Sequence, residues 1–182
     1  INLNTTDINK KVAVMNNTLY INNNEVETFD NVIFVDSLNG SDSGSGTKNS
    51  PYKTFDKAYN NLASGNTIKL NEGHYYVDSQ DLTKDLTIVG DNGKAKLDFS
   101  ASYHAHDNNV KLYNLLVLYR DEYVQNPFRN TDSVTAYNTF FHNPVGGRNF
   151  FASISKGNNI YLENCSIRVE DISLRDIVFY GE

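Results

Sequence analysis

The chain has 182 residues, with 16 Lys and Arg against 22 Asp and Glu, a net charge of -6 and a pI near 5.2. That length fits one domain with a small extension. An acidic balance without a basic run excludes a nucleic-acid phosphate footprint. No stretch approaches the roughly 18 apolar residues of a membrane helix, so the chain is not expected to be membrane-embedded. A single cysteine excludes a disulfide framework and a Cys-based zinc site. Ile1 is not an initiator, so a mature or excised form is expected.

Asparagine is the unusual residue, with 27 copies beside 12 Tyr and 10 Phe. Asn tolerates left-handed backbone, so this mixture points to many short strands joined by tight turns. Residues 1–31 read as a polar extension in which Val12–Val14 and Leu19–Ile21 flank Asn16-Asn17 as a hairpin or two edge strands. A strand follows at Val32–Val35, then a loop from Asp36 to Thr47 with almost no apolar content. One helix is expected over Thr54–Leu62. Phe55, Ala58, Tyr59 and Leu62 share a face, Ser50 or Thr54 caps it, and Gly65 stops it. The remainder reads as strands at 67–70, 74–77, 86–89, 95–99, 110–119, 134–142 and 159–169, with a last candidate at 177–180.

Three of these segments superimpose: Val110–Val117, Val134–Phe141 and Ile160–Ile167. Asn114, Asn138 and Asn164 stand at the same place in each, spaced 24 and 26 residues apart, about one solenoid coil. Leu86–Gly90 is a fourth, weaker copy with Gly90 at the Asn position. Before the Asn, apolar positions alternate; after it they alternate again, shifted by one. One left-handed residue would turn the strand and switch its inward face, and Asn or Gly accepts that geometry. Stacked coils would bring the three Asn side chains together as a hydrogen-bonded ladder, with Gly90 making the same turn without a side chain.

Several segments resemble the opening of the pectate-lyase-like right-handed parallel β-helix superfamily. They are Val35-Asp36, Gly40-Ser41-Asp42, Gly46-Thr47, Ser50–Phe55, Gly65–Ile68 and Gly73–Tyr75. Together with Asn164–Ile167 they are similar, more narrowly, to adhesin-like surface proteins of methanogenic archaea. The resemblance spans about residues 32–169. It implies an all-β, right-handed parallel β-helix over 32–182, with the helix capping the open end of the first coil. It also implies an extracellular or cell-surface setting and a glycan or protein partner.

The superfamily's lyases use a calcium-binding carboxylate cluster beside a Lys or Arg base. No coil carries such a cluster, so no catalytic residue is carried over. The longest excursions, 120–133 and 143–158, are where a binding site is expected, and they bring forward Arg120, Asp121, Arg129, His142 and Arg148. The arginines also suit surface salt bridges. Tyr113, Tyr137 and Tyr161 fall at outward positions. Such a row either stacks on sugar rings or lies half-buried under a loop. Asp36, Asn39 and Asp42 are candidate calcium ligands, although the loop lacks a bidentate Glu; no other cofactor is expected. His104 and His106 share one side of an extended segment but lack a third ligand. Cys165 reads as a buried thiol used as a small apolar group.

The expectation is a non-catalytic, extracellular adhesin-like module binding glycan or protein. The alternatives are a calcium-dependent polysaccharide lyase and a structural stalk segment. Beyond Asp171, only Ile172, Leu174, Ile177 and Phe179 are available to cover the last coil, so a continuing chain or a partner is expected there.

Overall fold

In a computed structural model the described residues are 12–15, 18–21, 24–29, 31–77, 82–91, 93–99, 108–119, 128, 131–144 and 159–169. β1 (Val12–Met15), β2 (Thr18–Ile21) and β3 (Asn24–Thr28) form a small antiparallel sheet. The first two were expected and the third was not. All later strands are parallel and are shared between two sheets. The six-stranded sheet holds β4 (Val32–Val35), β5 (Thr67–Leu70), β7 (Leu86–Gly90), β9 (Asn109–Tyr113), β11 (Ser133–Tyr137) and β13 (Asn159–Glu163). The five-stranded sheet holds β6 (Gly73–Tyr76), β8 (Ala95–Phe99), β10 (Leu115–Tyr119), β12 (Phe140–Asn143) and β14 (Ser166–Val169). From β5 onward each coil gives one strand to each sheet, which makes the chain a parallel β-helix.

Alternation fills the space between the sheets. Ile68, Ile88, Leu112 and Ala136 stack from one side, each 0% exposed. Tyr75, Leu97, Val117 and Phe141 stack from the other. One left-handed residue opens the corner between the sheets in each of the three later coils: Asn114 at φ 56°, Asn138 at φ 48° and Asn164 at φ 53°. Asn138 donates Nδ2–H to Asn114 Oδ1 at 2.9 Å, and Asn164 donates to Asn138 Oδ1 at 3.0 Å. Each side chain thereby supports the strained backbone of its neighbour.

Gly90 corrects the fourth copy. It is not a left-handed corner but the last residue of β7, and among the described residues of that corner Gly93 is left-handed, at φ 76°. Here the corner widens to residues 91–94, closed by Lys94 N–H to Asp91 O at 2.8 Å. Gly90 is required for a different reason, because a Cβ there would collide with the carbonyl oxygen of Asn114.

The helix, α1, runs Phe55–Asn60 with Thr54 as N-cap and Asn61 as C-cap. It stops short of Gly65: the backbone leaves helical geometry at Asn61, φ −94° and ψ 1°, and the Asn61 and Leu62 N–H groups close on Ala58 O and Tyr59 O at 3.1 Å. Phe55, Ala58 and Tyr59 are buried in the main core, and the helix touches β4 and β6, the terminal strands of both sheets. It therefore covers the N-terminal end of the apolar stack. No helix among the described residues is long and apolar enough to cross a membrane.

Candidate functional site

The outward face of the six-stranded sheet carries the tyrosines. Phe29, arriving from beyond β3, packs 5.2 Å from Tyr113 and closes a small cluster with Val89. Tyr113 is 1% exposed. Tyr113 and Tyr137 stack at 5.4 Å with planes 3° apart, and Tyr137 meets Tyr161 at 5.6 Å. With Phe29 on one side and Tyr137 on the other, Tyr113 has no face left to solvent. Of the two readings open for this row, Tyr113 takes the buried one and is not a sugar-facing position, and Tyr137 is half-buried. Only Tyr161, 48% exposed, stands open. Its hydroxyl lies 2.5 Å from Glu163 Oε2, and that bond, with some burial, pushes the phenol up to about 12.

The loop carboxylates have protein partners. Asp36 accepts the N–H groups of Leu38 and Asn39, and the amides of Asn39 and Asn71. Burial raises its carboxyl, but these bonds outweigh that and hold it below its usual range. Asp42 accepts Lys53 N–H, Thr54 N–H and the Thr54 hydroxyl. Asp36 and Asn39 thus engage each other, while Asp42 engages the start of α1. They fold the loop and hold the start of α1. Among the described residues no group of three or more His, Cys, Asp and Glu could hold a metal.

Cys165 packs at the edge of the core, and burial pushes its thiol up to about 11. It lies 3.3 Å from Glu163 O and 3.4 Å from Ala136 O. One coil earlier, Thr139 makes the matching pair of contacts, to Tyr137 O and Leu112 O. Arg120, Asp121, Arg129, Arg148, His104, His106 and the stretch 170–182 lie outside the described residues.

A different surface gathers chemistry. On the outward face of the five-stranded sheet one column reads His74, Lys96, Leu116, Phe140 and Ser166, and the next Tyr76, Asp98, Leu118, His142 and Arg168. Two aromatic–imidazole pairs mark it. His74 stacks on Tyr76 at 4.5 Å, and Phe140 on His142 at 5.6 Å with planes 6° apart. Between them lies half-buried Leu116, with Lys96 exposed beside His74. His74 Nε2 is 2.7 Å from Asp98 Oδ2.

The chain builds this face locally. A Cβ on Gly73 would collide with Ser37 Oγ, so glycine lets β6 start hard against the loop after β4. Tyr75 then locks the strand inward, its hydroxyl 3.0 Å from Asn71 O and 3.2 Å from Val35 O. Alternation turns His74 and Tyr76 outward. His142 was a sequence candidate, but as a neighbour of the loops 120–133 and 143–158 rather than of this face. His74, Tyr76, Asp98 and Phe140 were not singled out in the sequence; the register partner of His74 is Lys96, and Asp98 reaches it diagonally from the next outward position.

The family model described as "Protein of unknown function (DUF1565)" matches residues 38–177. The chain belongs to this family. It is also similar to a solved structure titled rhamnogalacturonan lyase, at 13% identity and a TM-score of 0.42, over 75% of this chain and 51% of that one. The chain thus spans about half the length of that protein. No curated protein matches the chain.

Proposed function

We infer that this DUF1565 chain is a non-catalytic, adhesin-like module that works outside the cell and binds glycan on the outward face of its five-stranded sheet. One observation carries the reading: two aromatic–imidazole pairs flank half-buried Leu116 and exposed Lys96 on a regular sheet. Rings and aliphatic groups match the C–H faces of sugars, and imidazole and ammonium groups match their hydroxyls. Rigid strands hold these groups at fixed spacing.

An oligosaccharide array tests it. The wild type is retained on a subset of glycans, and Phe140→Ala loses that retention without a change in melting temperature. Retention on no glycan contradicts the reading. Release of unsaturated uronate product from polygalacturonate with calcium would favour the lyase alternative instead.

A further inference from the structure

A carboxylate on an outward column of a sheet ordinarily stands in water. The Asp98 side chain is only 1% exposed. Its neighbour on the same column, Leu118, shows that an apolar side chain fits there buried, so packing alone does not call for an acid. Asp98 Oδ2 sits 2.7 Å from His74 Nε2. In the neutral imidazole that bond puts the proton on Nε2 and makes Nδ1 the acceptor. Tyr76 holds the ring from a second direction and is itself 50% exposed. Lys96, the register partner of His74, is exposed beside it.

We propose that His74, positioned by Asp98, forms with Tyr76 and Lys96 a subsite for one neutral pyranose unit. A sugar hydroxyl donates to His74 Nδ1, another accepts from Lys96 Nζ, and a C–H face of the ring lies on Tyr76. The charge of Asp98 offsets that of Lys96, so the subsite has no surplus positive charge to select an acidic sugar. This inference rests on the glycan-binding reading and adds the residues and the sugar class.

The test uses an array with separate neutral and uronic-acid oligosaccharides, and a two-bond 15N spectrum of the histidine rings. The wild type is retained on neutral probes, and its His74 spectrum shows the proton on Nε2. His74→Ala and Tyr76→Ala each weaken retention by about tenfold or more, the loss of one hydrogen bond or stacking contact. Tyr76→Phe and Tyr161→Ala keep it. Asp98→Asn weakens retention and shifts the His74 tautomer. Should Asp98→Asn fail to fold, the half-exposed Tyr76 variants decide.

Retention unchanged in both His74→Ala and Tyr76→Ala overturns the subsite. So does retention on uronic-acid probes alone, or a wild-type proton on Nδ1. Loss in Phe140→Ala with none in His74→Ala overturns the subsite and leaves the glycan reading standing. A wild type retained by no probe overturns both.

Discussion

Asn138 donates its side-chain amide to Asn114 Oδ1 across 24 residues of sequence, and both residues hold left-handed backbone. The hydrogen bond and the turn reinforce each other. The side chain reaches its partner only because the backbone turns there, and the turn is tolerated because Asn accepts that conformation.

The ladder separates two contributions. Asn138→Ala removes the amide bonds and strains the turn, at a cost of about 1–3 kcal/mol. Asn138→Gly keeps the turn and costs less. Chemical denaturation of both variants checks the order, and equal stability of all three proteins contradicts the ladder.

Gly90 and Gly93 should respond differently to the same substitution. Gly90→Asn drives a Cβ into the Asn114 carbonyl and destabilises by about 1–3 kcal/mol, the range for overpacking. Gly93→Asn puts a residue tolerant of left-handed backbone where nothing lies within 4 Å, and is nearly neutral. Melting temperatures of the pair decide it.

Helix α1 depends on a relay from the loop. Asp42 accepts the Thr54 hydroxyl, and Thr54 Oγ1 accepts Lys57 N–H at 3.2 Å. Thr54→Val should cost about 1 kcal/mol, the usual loss for an N-cap. If the stability of Thr54→Val equals that of the wild type, this relay does not hold the cap over the first coil.

Stability should fall at alkaline pH. The Cys165 thiol is raised from its usual 9.0 to about 11 by burial, Tyr161 to about 12 by its bond to Glu163, and Tyr75 upward by burial. Groups with raised folded values bind more protons when folded than when unfolded. Their contribution is complete below about pH 9 and is lost as the pH rises through the folded values. Cys165→Thr reproduces the Thr139 arrangement and removes the thiol's share of that loss. Denaturation at a series of pH values from 7 upward checks both statements. An alkaline slope identical in Cys165→Thr and wild type contradicts the assignment to Cys165.

How much could be read from the sequence follows from how many residue types satisfy each constraint. Left-handed corners at Asn114, Asn138 and Asn164 were legible because few residues accept that backbone and the spacing repeats. Gly90 misled, because glycine serves both a left-handed turn and a close approach and the sequence does not say which. Tyr113 was placed on the correct face, but the residue that buries it is Phe29, far away in sequence and outside any repeat. The His74–Asp98 pair joins β6 to β8 diagonally, in coils where the Asn pattern supplies no register.

The central claim is that ligand meets the five-stranded face. A titration of 15N-labelled protein with an array-selected oligosaccharide, followed through backbone amide shifts, tests it directly. The account predicts saturable shifts at His74, Lys96, Leu116 and Phe140, with Tyr137 and Tyr161 unmoved. Shifts confined to Tyr137, Tyr161 and Lys111 would place the ligand on the other sheet and contradict it.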